Sequence, residues 1–381
     1  MIASTPQSWF RDQVSEEVAE LRHLDAALAV EQFGATSARV RDTFTVLLRE
    51  RVRELQELRE EDWAGLQRLR EGGIRDVQHA ALGVLEGGLL RGHPLFRDVT
   101  AAAERLLDTV VDTTGIDHGA LLSMAGAERF ERLVGLIRIR FPDVGVWGLP
   151  ILVHEVGHLV ADALPGPGDR NLRPVLDLLA QEAAVDRSTG GRDHDQAYRH
   201  AGELFADVFA TYALGVAYPL AVITLRARPD RILDEPSPTH PTWSRRIWTM
   251  VASLRAIADR LESPLEAGAY RHDADRLLAC YWSAVSGDEP PDGSMERAAA
   301  RQAAAFVDQL DRNAPPRLRY DAAANHDALI GDLLTGRATT ATPVEVIGAI
   351  WRWRVVHGGT DSVTLTRIGA QALRAVASVT G

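Results

Sequence analysis

The sequence contains no lysine: all 42 basic side chains among its 381 residues are arginine. No side-chain amine is therefore available for Schiff-base chemistry or for lysine acylation. Biased codon usage is the plain reading of that preference. Cysteine is nearly absent as well. Cys280 stands alone, which excludes an intramolecular disulfide and any metal site built from several thiolates. It lies in the apolar stretch Leu277-Leu278-Ala279-Cys280-Tyr281-Trp282 and reads as a small core residue. That usage fits a reducing compartment, and a cytoplasmic location is expected.

Positive charge is also in deficit. The net charge of −11 argues against a nucleic-acid partner, which would call for a basic face. Met1 to Arg22 has no basic segment followed by an apolar one, so no secretory signal is expected. One uncharged run, Val208 to Leu225, approaches the length of a membrane span. It contains Tyr212, Tyr218, Pro219 and two threonines, and it continues directly from Glu203 and Asp207. A buried helix is expected there, and membrane insertion is not.

What the chain does have is ordinary globular material: 46% hydrophobic and 25% charged residues. Its length suggests two or three domains. Residues 1–112 show helical spacing at Leu21, Leu24 and Leu28, at Val40, Phe44, Leu47 and Leu48, and at Leu55, Leu58, Leu66 and Leu69. Arg and Glu interleave from Arg49 to Arg70, as in a long solvated or coiled-coil helix, with breaks expected at Gly34 and at Gly72-Gly73. This region reads as a packed helical hairpin, with a partner-binding or autoinhibitory arm as the alternative. Leu136 to Phe141 alternates like a strand and stops at Pro142. A helix is expected from Ile151 to Leu164, with Pro150 in its first turn and Pro165-Gly166-Pro167-Gly168 as its breaker. Further helices are expected over Asn171–Arg187, Gln196 to about Ala217, and Thr242–Leu261, followed by a helical C-terminal region. Near its end, Ile350-Trp351-Arg352-Trp353-Arg354 reads as one buried and one covering Trp.

The chemistry concentrates at His154-Glu155-Val156-Gly157-His158. Residues i and i+4 lie on one helix face about 5–6 Å apart, so both imidazoles can reach one metal ion. Glu155 can point to the open side of that ion and take a proton from a water the metal activates. The flanks are apolar, and burying two histidines and a glutamate among them is costly unless something binds them. Gly157 costs the helix about 1 kcal/mol relative to Ala, which suggests that another backbone element approaches closely there.

Catalytic zinc usually takes three protein ligands. The third candidate is a carboxylate from one of two ExxxD segments, Glu182–Asp186 or Glu203–Asp207. In this form Glu binds the metal. Asp, one turn on, accepts the other ring N–H of a metal-bound His. Glu203 is favoured because its helix is the more apolar and because the small Ala206 beside Asp207 would allow close packing. His240, in Ser237-Pro238-Thr239-His240-Pro241, is either an oxyanion donor at a cleft edge or an unimportant turn histidine. Tyr212 and Tyr218 are weaker candidates for the same task.

His154–His158, Glu203-Leu204-Phe205-Ala206-Asp207 and Thr239-His240-Pro241-Thr242-Trp243-Ser244-Arg245-Arg246-Ile247, in that order, resemble the gluzincin metallopeptidases. The nearest likeness is to the M48-like group, with its HExxH, ExxxD and later His-Pro followed by Arg. The resemblance covers about residues 145–250. It implies Zn2+ held by His154, His158 and Glu203, Glu155 as general base, Asp207 behind the ligands and His240 near the transition state. It implies a mainly α protein with a zincin-like core and at most a small β element. On this reading 1–112 is a helical arm, 113–262 the catalytic domain and 263–381 a C-terminal helical region. The expected activity is hydrolysis of peptide bonds in a protein or peptide substrate, with a protein partner at the N-terminal arm as an added expectation. A non-catalytic zinc-containing binding protein and a hydrolase of non-peptide amides are the alternatives. The membrane segments that flank many such proteases are not apparent, and the substrate does not transfer.

Overall fold

A computed structural model describes residues 6–30, 35–91, 93–94, 96–114, 121–125, 129–131, 136–140, 145–163, 194–227, 237, 239–285, 293–324, 326–337, 339–357 and 362–378. The fold is mainly α. The expected helix over Asn171–Arg187, with Glu182 and Asp186, lies outside the described residues, as does the Pro165–Gly168 breaker.

The chain forms two compact units, one of Met1–Arg97 with His118–Pro142 and one of Asp98–Asp117 with Asp143–Gly381. The residues of the sheet therefore group with the N-terminal helices, and the C-terminal helices group with those that carry the motifs.

In the first unit, α1 (Pro6–Val30), α2 (Ala35–Gln56), α3 (Trp63–Leu69) and α4 (Arg75–Arg91) pack together. The leucine stripes legible in the sequence form its core. Leu21, Leu28, Phe44, Leu48, Leu55 and Leu66 are buried, and Leu24, Leu47, Leu58 and Leu69 pack against them. The Arg49–Arg70 stretch is not one helix, as its charge pattern suggested. It breaks between Gln56 and Trp63, where Glu61 takes a positive φ of 66° and the Asp62 side chain accepts the N–H of Gly65 to start α3. The second break falls where expected: Gly72 leaves helical geometry at φ −104°, ψ −105°. Three short strands, β1 (Leu121–Ala125), β2 (Arg129–Glu131) and β3 (Leu136–Arg140), form a sheet of order β1-β3-β2. β1 runs parallel and β2 antiparallel to β3.

The second unit contains α5 (Arg97–Thr114), α6 (Leu149–Ala163), α7 (His194–Leu214), α8 (Ala217–Leu225), α9 (Trp243–Ala258), α10 (Pro264–Val285), α11 (Gly293–Asn313), α12 (His326–Thr335), α13 (Pro343–Val356) and α14 (Ser362–Ser378). α6 and α7 pack along each other, and α9 packs on α7, α10 and α11. α6 is apolar nearly all round, and Leu149, Leu152, Val153, Val156 and Val160 are all buried, as such a helix must be. The uncharged run Val208–Leu225 is buried as far as Val222, but it is two helices. The chain breaks at Gly215, whose φ of +57° suits glycine and whose Cβ, if present, would lie 2.4 Å from the Tyr320 ring. No helix among the described residues is long and apolar enough to cross a membrane. The Trp-Arg pair near the end behaves as expected. Trp351 is fully buried edge-on to Trp147, while Trp353 stacks on His357.

Candidate metal centre

Gly157 sets the distance between the two motif helices. A Cβ built on it would lie 2.7 Å from the Cα and 3.1 Å from the carbonyl oxygen of Ala206. α6 and α7 therefore touch backbone to backbone at the point where His154 and His158 face Glu203. That close approach is what the glycine in the motif suggested.

Glu203 sits between the two imidazoles. Its Oε2 is 3.4 Å from His154 Nε2 and its Oε1 is 3.4 Å from His158 Nε2. The rings stand at 86° to each other. One ligand atom from each of the three residues lies within 4.8 Å of the others. Two atoms bound tetrahedrally at 2.0–2.1 Å from one ion are separated by roughly 3.3–3.4 Å, so both nitrogen–oxygen distances suit such an ion. The donor set of two imidazole nitrogens and a carboxylate is also a metal-binding set. His154, His158 and Glu203 thus fit a metal ion.

Behind the ligands lies a second set of groups. Asp207, fully buried, faces His154 Nδ1 at 3.0 Å. With Nδ1–H donating to this carboxylate, the lone pair is left on Nε2, the nitrogen that faces Glu203. Asp207 is held in turn by three further contacts. Arg246 donates from Nε to Oδ2 at 2.8 Å and from Nη2 to Oδ1 at 2.7 Å, and the Tyr218 hydroxyl donates to Oδ1 at 2.5 Å. The Tyr218 oxygen is also 3.0 Å from His154 Nδ1.

The electrostatics follow from burial and pairing. Burial alone would raise the carboxyl pKa of Asp207, but Arg246 and His154 outweigh it and bring it down to about 2. Burial likewise works against ionised Glu203, yet His154, His158 and Arg246 hold it well below the usual carboxylate range. Burial would lower His154, but Asp207 and Glu203 together raise it to about 10. Asp207, buried, and Glu203, partly buried, together carry more negative charge than Arg246 alone balances.

Glu155 is buried on α6 beside His154. His240 lies at the exposed edge, with Nε2 3.7 Å from Glu203 Oε1; partial desolvation, with Arg246 and against Glu203, lowers its pKa. Of the residues singled out in the sequence, the fold brings together His154, His158, Glu203, Asp207 and His240. Tyr212 is engaged elsewhere, donating to Asp311 at 2.8 Å. Tyr218 is present, but its hydroxyl is committed to Asp207 and His154 Nδ1 and not to an oxyanion.

Two residues of the site carry roles beyond those the motifs imply. Arg246 lies within the Thr239–Ile247 motif. Its signal was there: it shares the helical stripe of Met250 and Leu254, both fully buried, and a buried guanidinium must have a partner. Tyr218 had no such signal. Eleven residues along a straight helix would carry it about 16 Å from Asp207. The Gly215 turn brings it back into contact.

Comparison with models of protein families, with curated proteins and with solved structures finds no match for this chain.

Proposed function

We propose that this protein is a zinc metallopeptidase of gluzincin type with a zincin-like core, cutting peptide bonds in a protein or peptide substrate. One observation carries the reading. The carboxylate of the ExxxD helix meets both imidazoles of the HExxH helix at spacings suited to a tetrahedral ion, with Asp207 already aimed at the outer nitrogen of His154. His154, His158 and Glu203 would hold the zinc. When bound, zinc supplies Lewis acidity, lowering the pKa of water toward ~7 and polarising a carbonyl.

The chain's own residues do the rest. Glu155 takes a proton from the attacking water and passes it to the leaving nitrogen. His240 donates from Nε2–H to the oxyanion as it develops. Asp207 fixes the tautomer of His154, and Arg246 with Tyr218 keeps Asp207 ionised and in place.

The test is elemental analysis combined with turnover of fluorescein-labelled casein. About one zinc per chain is expected, lost in His154→Ala, His158→Ala and Glu203→Ala. Glu155→Gln keeps the shape but cannot take the proton. It should retain zinc and lose at least ~10²–10⁴-fold in kcat. Cleavage that survives both chelation and Glu155→Gln would overturn the mechanism.

A further inference from the structure

α7 carries four polar residues on one face: Gln196, His200, Glu203 and Asp207, at helical spacings of four, three and four. The last two belong to the metal centre. The first two converge on a single acceptor, the backbone carbonyl of Ser237. Gln196 Nε2 donates to it at 3.2 Å, and His200 Nε2 lies 2.8 Å from it. A carbonyl only accepts, so His200 carries its proton on Nε2. Its ring is buried, at 3% exposure, although the turn it holds is open to solvent.

Ser237 begins the short turn that ends at His240. Its Oγ accepts the N–H of His240 at 2.8 Å and that of Thr239 at 3.3 Å. Thr239 Oγ1 is 2.7 Å from His240 Nδ1. If Nδ1 accepts from that hydroxyl, His240 carries its proton on Nε2, the nitrogen 3.7 Å from Glu203 Oε1. A chain of contacts thus runs from α7 to the exposed imidazole: Gln196 and His200 to the Ser237 carbonyl, Ser237 Oγ to the His240 amide, and Thr239 to the His240 ring.

We infer that Gln196 and His200 are positioning residues that fix the Ser237–His240 turn, so that the same helix that offers Glu203 also holds His240 over it. The catalytic consequence rests on the peptidase reading above; the clamp does not. An exposed imidazole on a free turn would spend most of its time elsewhere, and a donor that must be ordered during reaction loses the advantage of preorganisation.

The experiment uses the full chain with zinc, as wild type, Gln196→Ala, His200→Ala, His200→Gln and His240→Ala, with two readouts. The first is hydrogen exchange of the peptide containing Thr239 and His240. Exchange should rise about tenfold in His200→Ala and severalfold in Gln196→Ala. It should return toward wild type in His200→Gln, whose amide N–H can replace the ring donor. The second is steady-state cleavage of fluorescein-labelled casein. His200→Ala should lower kcat by ~10-fold or more, with KM and zinc content within about twofold of wild type. Combined with His240→Ala it should cost nothing further. Unchanged exchange, or a kcat loss that adds to that of His240→Ala, overturns the inference. If wild type leaves casein uncut, exchange alone decides: faster exchange upholds the clamp while the peptidase reading falls. Should His200→Ala fail to fold, Gln196→Ala, at a half-buried position, carries the same test.

Discussion

Gly157→Ala separates two opposite expectations for the helix that carries both histidines. On helix propensity alone, Ala for Gly in a helix interior stabilises by about 1 kcal/mol. The fold reverses the sign. The new methyl would sit 2.7 Å from the Ala206 Cα, against an ordinary carbon–carbon contact of about 3.5 Å. α6 and α7 must therefore part by about 0.8 Å at this point, in a core where little else can yield. Overpacking of this kind costs ~1–3 kcal/mol, and contact with backbone belongs at the upper end. The net expectation is a loss of about 2 kcal/mol, or about 4–8 °C in the melting temperature of the metal-free protein. The same displacement is several times the ±0.2 Å or so that a metal site tolerates in its bond lengths. Zinc affinity should thus fall by ~10–100-fold in competition with a chromophoric chelator. Ala206→Gly in the same chain should restore little, because the nearest atom is backbone Cα and not the Ala206 methyl. Thermal melting by circular dichroism in chelator gives the first quantity. A variant more stable than wild type, with unchanged zinc affinity, would refute the close approach of the two helices.

Arg246→Met leaves Asp207 buried without its fork of donors, and urea unfolding should show a loss of about 3–5 kcal/mol. Tyr218→Phe removes one donor to the same carboxylate; it should cost about 1–2 kcal/mol and lower zinc affinity by ~10-fold in the chelator competition. Away from the metal centre, burial and the neighbouring Arg352 lower the pKa of His326 from 6.5 to about 4. Between those values the unfolded chain takes up a proton that the folded chain refuses. Stability is therefore full above about pH 6.5 and falls as the pH drops toward 4, by roughly 1–2 kcal/mol after allowance for partial solvent exposure. Denaturant unfolding at pH 7 and pH 4.5 should show that loss, and His326→Gln should reduce it.

The sequence by itself marked most of the helices and the candidate ligand types. Residues of one helix stand in fixed angular relation, so HExxH spacing puts two imidazoles on one face whatever surrounds them, and ExxxD does the same for its two carboxylates. The 3.6-residue period likewise marked the buried leucines of the N-terminal helices, and a glycine in a motif helix pointed to a close neighbour. The charge pattern misled over Arg49–Arg70, because an i,i+4 alternation carries no information about a cap. One Asp62 side chain on the Gly65 amide was enough to start a new helix. Only the tertiary structure decided which groups meet. Glu203 lies between the imidazoles because α6 and α7 touch at Gly157 and Ala206. Tyr218 returns to Asp207 because the chain turns at Gly215, a conformation whose need for glycine is set jointly by its φ and by the Tyr320 ring against it. Arg246 and the Ser237 carbonyl reach α7 from segments some forty residues away in sequence, by contacts that no local period encodes. Periodicity is a property of one element. The charge balance that fixes Asp207, and the clamp that holds His240, arise only when several elements share one interior.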